Sequence, residues 1–316
     1  DVYKRQIHDL PKVCDTLLNI FANDTKAYTH ISSPEDCCKL QTTIDNLIEW
    51  SDKWLLRFNT EKCKVLHLGY SNLKHNYVMK DGENCNILEK TACEKDLGVH
   101  IDNKLNFNEH VQQQVKKARC IAGVIHRNII NKTPNIMVPL FKSMVRPIVE
   151  YANAVWSPYT KKNSKPIENI QRHYTKKIKG LKDKSYSERL KILKLPSLSF
   201  RRPRGDLIEV YKIVHNIYDP ITTNKLLTQI SASSTTRQSN SIKLFKKGTN
   251  KNKYKYFFPN RIINIWNDLP NQIVNAESLN VFKNRVDIHF RKFLYSIEGN
   301  IDALYTLFTL AILTIK

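Results

Sequence analysis

Strand-like spacing of apolar residues ends near Asp102, and this limits the folds that the chain can adopt. Before Asp102, short apolar runs are separated by turn residues, which is typical of strands. After it, apolar residues recur at steps of three and four, which is typical of amphipathic helices. The first helical series is Val111, Val115, Ala118, Ala122, Ile125 and Ile129. The sequence therefore predicts an α+β protein, with short antiparallel strands and helices first and a mostly helical region after them.

Two turn signals predict hairpins in the first region. The apolar run Leu17–Phe21 stops at Ala22-Asn23-Asp24, which predicts a strand, a tight turn and a second strand. Asp81-Gly82 is a typical hairpin turn between two further strands. The predicted strands beyond the first hairpin are Val65–Leu68, Tyr77–Lys80, Cys85–Leu88 and Leu97–Ile101.

A long helix is predicted between these strands. Ser33 can cap its amino terminus, Pro34 suits the first helical position, and the two acidic residues after Pro34 favour the positive end of the helix dipole. Its apolar stripe is Leu40, Ile44, Leu47, Ile48, Trp54 and Leu55. We expect Trp54 to lie in the core rather than to stack on a base, because core packing is the usual role of such a stripe.

The region after Asp102 carries further helix signals. Helices are predicted to begin at Thr133-Pro134, to span about Lys165–Lys179 before Gly180, to begin at the capping box Ser185–Glu188, and to span Arg204–Tyr218 before Pro220. Ser231–Lys253 is rich in polar residues and predicts a flexible linker. A small helical segment comes after it, with Phe257, Phe258, Trp266 and Phe282 as its apolar anchors.

These patterns divide the chain into five predicted parts. They are a mixed α/β part at 7–102, a basic helical part at 103–220, a linker at 221–256, a small helical part at 257–293 and an apolar tail at 294–316. The apolar run at 301–316 is shorter than the roughly 20 residues of a membrane-spanning helix, so no membrane partner is expected. Residues 1–6 join awkwardly to the segment that begins at Ile7, and they are excluded from the fold prediction.

The charge of the chain points to a polyanionic partner. The formal net charge is +22, with 51 Lys and Arg against 29 Asp and Glu. More than half of the excess lies in Lys161–Arg204, where fifteen basic residues face three acidic ones. Such an excess is typical of proteins that bind a nucleic-acid backbone. A solvated helix face is the alternative, and it is the usual role of charge runs that are balanced.

Composition argues against several cofactors. Only eight glycines are present and no glycine-rich phosphate loop appears, so no small-molecule cofactor is expected. None of the seven cysteines forms a C-x-x-C pair, which argues against a zinc knuckle. With no signal peptide at the start, the cysteines are interpreted as reduced, intracellular thiols.

Six stretches taken together resemble one family. They are FANDTKAY (Phe21–Tyr28), WLLRFNTEKCK (Trp54–Lys64), EKDLGVHID (Glu94–Asp102), VRPIVEYANAVWSP (Val145–Pro158), IENIQRHYTKKIKG with the later YSERLKILKLPSLSFRRPRGDLIEVYKI (Ile167–Ile213), and FFPNRIINIWNDLP (Phe257–Pro270). Their order and content resemble the reverse transcriptases of non-LTR retrotransposons of the Jockey and CR1 type. The resemblance implies that 7–102 is part of a polymerase palm and that 103–220 is the thumb and its connection.

The resemblance implies phosphoryl transfer with two Mg²⁺ ions, and this sequence departs from the family at the metal ligands. The family places an Asp pair in a FADD turn, where this chain has Asn23 and Asp24. The amide of Asn23 is neutral, which leaves Asp24 as an incomplete metal site. Only Ile7–Ile20 precedes this box, where the early palm strand with its third Asp would be expected. We therefore expect no productive Mg²⁺ binding and no polymerase activity.

Two further positions match polymerase motifs. Lys62 corresponds to a lysine that would lie near the departing pyrophosphate, and a solvated turn lysine is the alternative. Leu97-Gly98 corresponds to the primer-grip turn, where glycine lets the backbone approach a nucleic-acid strand closely. A simple turn between strands is the alternative at that position.

The basic helical part would hold the template–primer duplex, so RNA or an RNA–DNA hybrid is the expected partner. The residues expected to contact phosphates are Lys176, Lys177, Lys179, Arg201, Arg202 and Arg204. Tyr174 and Tyr186 are interleaved with them and are expected to pack on sugars or bases.

The sequence supports three interpretations of function. The first is a catalytically inactive part of a retrotransposon reverse transcriptase that still binds nucleic acid. The second is a non-catalytic RNA-binding protein that derives from the element and is used by its host. The third is a decayed copy without function. The first two predict an intracellular location, in the nucleus, the cytoplasm or both.

Overall fold

The computed structural model describes residues 7–22, 24–82, 84–223, 225–230, 241–249 and 252–295, and it confirms an α+β protein. The chain forms two compact units, Asp1–Leu105 and Asn106–Lys316. They are called the amino-terminal unit and the carboxy-terminal unit below, and each is described by itself.

The amino-terminal unit is built from short strands and one long helix. Its strands are β1 (Leu17–Phe21), β2 (Asp24–Tyr28), β3 (Lys64–Leu66), β4 (Val78–Asp81), β5 (Asn84–Ile87), β6 (Glu89–Thr91), β7 (Cys93–Asp96) and β8 (Val99–Asp102). Its helix is α1 (Pro34–Trp54), and 3-10 turns span Ile7–Val13 and Thr60–Lys62. The pairs β1–β2, β4–β5 and β7–β8 are antiparallel, and β3–β6 is parallel. Both hairpins predicted from turn residues are thus confirmed.

The predicted capping of α1 is confirmed in detail. The Ser33 side chain accepts a hydrogen bond from the Asp36 backbone N–H, and the Asp36 carboxylate accepts one from the Ser33 backbone N–H at 2.9 Å. Further hydrogen bonds from the backbone N–H and hydroxyl of Ser32 reach the same carboxylate. Together they hold the pKa of Asp36 far below its usual range. The first turn of α1 is therefore held by local bonds as well as by packing.

The prediction that Trp54 lies in the core is wrong. Trp50 occupies that place, with its indole N–H donating to Asp9 at 3.2 Å and its ring packed near Leu10 and Leu47. Trp54 lies one turn further along and is 38% exposed. Leu55 is 84% exposed because it has left-handed backbone angles that end the helix, so it leaves the apolar face. The core stripe of α1 therefore stops at Trp50.

The carboxy-terminal unit is helical throughout most of its described residues. Its helices are α2 (Asn108–Asn128), α3 (Pro134–Leu140), α4 (Arg146–Glu150), α5 (Asn153–Trp156), α6 (Lys161–Lys176), α7 (Tyr186–Leu193), α8 (Leu198–Val214), α9 (Pro220–Thr223), α10 (Asn252–Lys255), α11 (Phe258–Asn267), α12 (Asn271–Val274) and α13 (Leu279–His289). A π-helical turn, Phe141–Val145, joins α3 to α4, and a 3-10 turn spans Arg291–Phe293. No helix among the described residues is long and apolar enough to cross a membrane.

The core of this unit links helices that are far apart in sequence. Phe200 and Leu207 on α8 share one apolar cluster with Trp266, Phe282 and Phe290. A buried ion pair supports the same contact, because the guanidinium group of Arg261 on α11 donates two hydrogen bonds to the Asp206 carboxylate at 2.7 and 2.8 Å. The small helical segment after residue 257 therefore completes the core around α8.

The structure corrects two predictions, one about where a helix begins and one about a residue of the predicted linker. Helix α8 begins at Leu198 rather than at Arg204, because the side chain of Ser197 accepts a hydrogen bond from the backbone N–H of Phe200. Within the predicted linker, Leu244 is buried and its N–H donates to the Asn267 side chain at 2.9 Å. Residues 224, 231–240 and 250–251 of the predicted linker, the tail from 296 onward and residues 1–6 lie outside the described residues.

Candidate nucleic-acid interface

The hairpin that carries the FANDTK box is formed by β1 and β2, which pair in register from Leu17 and Tyr28 to Phe21 and Asp24. Asp24 begins β2 and is exposed. Asn23, predicted as a degenerate metal-ligand position, lies outside the described residues. Among the described residues, no group of three or more His, Cys, Asp or Glu side chains is placed to hold a metal ion.

An ion pair brings two of the family motifs together in the amino-terminal unit. Lys26 on β2, within the FANDTK box, pairs with the carboxylate of Asp96 on β7. Asp96 is the last residue of β7 and immediately precedes Leu97-Gly98. The hairpin of the FANDTK box and the hairpin that turns at Leu97-Gly98 are therefore neighbours. The two ionic partners are 70 residues apart in sequence, so local sequence patterns could not predict this contact.

The turn at Leu97-Gly98 is tight and strained. Asp96 pairs with Val99, so β7 and β8 are joined by two residues only. Leu97 has a φ of 45° and Gly98 a φ of 84°, which are the positive values of a type I′ hairpin turn. This backbone region suits Gly98 but is unfavourable for a leucine. Leu97 is half exposed at the end of the hairpin, so an apolar side chain is presented at a place where asparagine is the usual residue.

Lys62 ends the 3-10 turn Thr60–Lys62, and its exposed side chain lies just after the cap that Asn59 provides. The Asn59 side-chain oxygen accepts a hydrogen bond from the Lys62 backbone N–H at 3.1 Å. The local structure thus fixes the backbone of this lysine, and its catalytic role remains a prediction.

Three lysines of the carboxy-terminal unit form a basic surface where α6 ends. Lys176 is the last residue of α6, Lys177 is its cap, and Lys179 comes two residues later. All three are exposed. Cations are favoured at this position because the carboxyl end of a helix carries a partial negative charge. Gly180, with a φ of 78°, turns the chain away after Lys179. The contact of these lysines with nucleic acid stays a prediction.

The three arginines beyond them have partners inside the unit. The guanidinium group of Arg201 pairs with Glu150, and Arg204 donates to the Asp287 carboxylate at 2.7 Å. Arg202 is buried and donates to the Ser199 hydroxyl at 3.3 Å. Carboxylates pair with Arg201 and Arg204, and Arg202 is buried, so all three side chains contact groups inside the unit. Their predicted contact with nucleic acid remains a prediction.

The prediction that two tyrosines pack on sugars or bases is wrong. Tyr174 is buried, and its hydroxyl donates to the Met137 carbonyl at 2.9 Å. Tyr186 is buried too, and its hydroxyl donates to the Glu168 carboxylate at 2.5 Å. Burial, followed by the neighbouring carboxylate, raises the pKa of Tyr186 far above its usual range. The same carboxylate accepts from the Ser199 backbone N–H at 2.8 Å, so this network ties α6, α7 and α8 together.

Beside the exposed lysines lies a groove between α2 and α6, with a volume of about 340 Å³. Its lining is Arg119, Ala122, Gly123, His126, Ile170, His173, Tyr174, Lys176 and Lys177. The sequence prediction included Lys176 and Lys177 but missed Arg119 and His126 on the opposite side. Arg119, Gly123 and His126 are spaced so that they lie on one face of α2. This spacing alone does not predict a groove, because the groove forms only where α2 packs against α6.

This groove has cations above an apolar floor and no carboxylate among the described residues of its lining, a composition that favours anions over cations. Comparison with known proteins gives a more specific result. The chain is 26% identical over 172 residues to the RNA-directed DNA polymerase from mobile element jockey of Drosophila melanogaster. This confirms the resemblance to a non-LTR retrotransposon reverse transcriptase. The match covers 52% of this chain and 18% of that protein. No family model and no solved structure matches the chain.

Proposed function

We propose that this chain is a segment of a retrotransposon reverse transcriptase that binds RNA or an RNA–DNA hybrid and does not polymerise DNA. Its amino-terminal unit corresponds to part of the palm, and its carboxy-terminal unit to the thumb. The observation that carries the proposal is the exposed cluster Lys176, Lys177 and Lys179 beside a groove whose described lining holds no acidic residue. Phosphate contacts of this kind set affinity and carry little sequence preference.

The binding test is a titration of the purified chain with a fluorescent RNA–DNA hybrid, monitored by anisotropy over a series of salt concentrations. With about 5–8 phosphates contacted, the slope of log affinity against log salt is expected near −4 to −7. Replacing Lys176, Lys177 and Lys179 by alanine removes about three of these contacts. This variant is expected to weaken binding to all sequences alike and to flatten the slope by up to about three units.

The matched control removes the same charge elsewhere. Lys39, Lys53 and Lys80 are exposed lysines of the amino-terminal unit outside the family motifs. Their triple alanine variant is expected to bind the hybrid with nearly the affinity of the parent chain. Equal losses in the two triple variants would show that only net charge matters. Affinity that does not depend on salt would contradict the proposal outright.

We also propose that the chain lacks polymerase activity, because the FANDTK box does not supply the side chains that would bind two metal ions. Two-metal phosphoryl transfer depends on carboxylates that carry most of the ligand charge. Asn23 supplies a neutral amide where the resemblance implies an aspartate, so the residues present do not fit a two-Mg²⁺ site. We expect the chain to give no template-dependent extension of a primed RNA with Mg²⁺ or Mn²⁺. An active reverse transcriptase on the same substrate is the control, and any extended primer with this chain would refute this part of the proposal.

A further inference from the structure

The groove between α2 (Asn108–Asn128) and α6 (Lys161–Lys176) has a floor and a rim of different character. Buried Ala122, Ile170 and Tyr174 form the floor. Gly123 lies beside them, and within the described residues, apart from its chain neighbours and the nearby backbone of α2, no atom comes within 4 Å of where its Cβ would be, so the space above it is open. The rim consists of the exposed side chains of Arg119, His173, Lys176 and Lys177. A ligand that entered this groove would meet positive charge first.

His126 is the unexplained group of this groove. Its side chain is 8% exposed and lies 4.6 Å from the Tyr174 ring, centroid to centroid. Neither of its ring nitrogens has a hydrogen-bond partner within the described part of the chain. A buried polar group without a partner is costly, so most such groups in native proteins are satisfied. An imidazole with two open positions therefore points to a ligand that supplies the missing partner.

The charges around His126 define the chemistry of that ligand. Burial, followed by the positive charges of Lys177 and Lys132, lowers the pKa of His126 to about 4. The imidazole of the free chain is therefore neutral at pH 7, with one N–H donor and one acceptor. The other groups of the lining are Tyr174, whose hydroxyl donates to Met137, and Arg119, His173 and Lys176. An anion is the ligand that the donors and cations together would stabilise.

We propose that this groove binds a phosphate group of the nucleic-acid backbone, with His126 donating its N–H to a phosphate oxygen and Arg119, Lys176 and Lys177 neutralising the charge. The assignment rests on the proposed function and adds the location of the phosphate and the residues that hold it. A backbone phosphate is preferred to a free anion because the exposed lysines continue beyond the groove, through Lys179 and Lys182. These residues extend the positive surface beyond the groove, where the neighbouring phosphates of a nucleic-acid strand would lie.

The first test compares variants of the full chain at His126. His126→Phe keeps an aromatic ring against Tyr174 and removes both nitrogens. His126→Gln keeps an N–H donor and cannot titrate. We expect His126→Phe to bind the RNA–DNA hybrid about tenfold or more weakly, because it loses a hydrogen bond to a charged group, and His126→Gln to stay within about threefold. Arg119→Gln is expected to weaken binding, whereas Lys191→Gln, at an exposed lysine outside the lining, is the matched control for charge.

The second test monitors the imidazole itself and does not depend on a variant that folds. The pKa of His126 is measured by NMR on chain labelled at histidine, alone, with the hybrid, and with inorganic pyrophosphate. A phosphate beside the ring favours the protonated form, so the pKa of His126 is expected to rise by about one unit or more with the hybrid. The other histidines serve as internal controls.

The outcomes separate this assignment from the proposed function. If the hybrid binds but neither His126→Phe nor the pKa of His126 responds, the groove assignment is wrong and nucleic-acid binding stands. If the hybrid does not bind and pyrophosphate alone raises the pKa of His126, the groove takes free phosphate and the proposed function is wrong. If neither ligand has any effect, both are overturned.

Discussion

A single residue, Leu97, has an unfavourable backbone conformation that the surrounding structure of the amino-terminal unit imposes. Its φ of 45° lies in the left-handed region, where a leucine costs about 1–2 kcal/mol. Strain of this kind persists where the surrounding structure imposes it, and it is found often at functional sites. Here the β7–β8 ladder imposes it, because the strands are joined by Leu97 and Gly98 alone. A contact with nucleic acid would explain why an apolar side chain is kept at this strained position.

Leu97→Asn tests this interpretation. Asparagine tolerates a positive φ and forms type I′ turns with a glycine after it, so the variant is expected to be more stable by about 0.5–1 kcal/mol in urea unfolding. Gly98→Ala is the opposite control, because a φ of 84° is unfavourable for alanine, and a loss of about 1 kcal/mol is expected. A loss of hybrid affinity in the stabilised Leu97→Asn variant would support a primer-grip role. Destabilisation by Leu97→Asn would contradict the argument from strain.

At the scale of elements, local patterns predicted most of the fold, and long-range contacts account for the corrections. The series Val111, Val115 and Ala118 is buried on α2 as expected, because the helical period alone selects that face. The capping box at Ser185 is confirmed for the same local reason. Trp54 was misassigned because the period continues past the residue where tertiary packing stops. His126 was missed because its significance depends on α6, which is distant from it in sequence.

Docking of α11 onto α8 is expected to depend on the Arg261–Asp206 pair. Their side chains are 3% and 0% exposed, and Arg261 also donates to the Ala154 carbonyl at 2.9 Å. Arg261→Met leaves a buried carboxylate without its cation, which is expected to cost about 3–5 kcal/mol in urea unfolding. Adding Asp206→Leu removes that carboxylate and is expected to recover part of the loss.

The matched control is Arg204→Met on the same helix α8. Its ion pair with Asp287 is closer to solvent, with side-chain exposures of 16% and 38%, so a loss of about 1 kcal/mol or less is expected. Equal effects of Arg261→Met and Arg204→Met would show that burial does not set the energetics of these pairs.

At the scale of the whole molecule, the strand-like sequence patterns end near residue 102, and the chain divides into its two compact units between Leu105 and Asn106. The strand-like apolar period ends close to this division, and the described part of the unit after it is built mainly from helices. The sequence patterns did not predict which helices pack together in one core. Trp266 and Phe282 were predicted as anchors of a separate segment, whereas they pack with Phe200 of α8. Apolar periodicity shows which face of a helix is buried but not the partner that buries it.

This shared core leads to the last prediction, which concerns two fragments. The fragment Asn106–Lys316 retains the whole carboxy-terminal unit and is expected to unfold cooperatively and to bind the RNA–DNA hybrid within about threefold of the full chain. A fragment that ends at Pro220 loses Trp266, Phe282 and Phe290 from the core around α8. Each fully buried side chain of this size contributes about 1.5–3 kcal/mol, so their joint loss is comparable to the roughly 5–15 kcal/mol that stabilises a domain.

The shorter fragment, 106–220, is therefore expected to lack a cooperative transition in urea, even though it keeps the groove between α2 and α6. Circular dichroism and intrinsic fluorescence are the measurements, with the longer fragment as the control. If 106–220 unfolded cooperatively and bound the hybrid as tightly as Asn106–Lys316, the helices up to α8 would form a domain by themselves. In that case the segment after residue 257 would be an accessory to that domain, whereas the core packing of Trp266 predicts that it is an integral part of the carboxy-terminal unit.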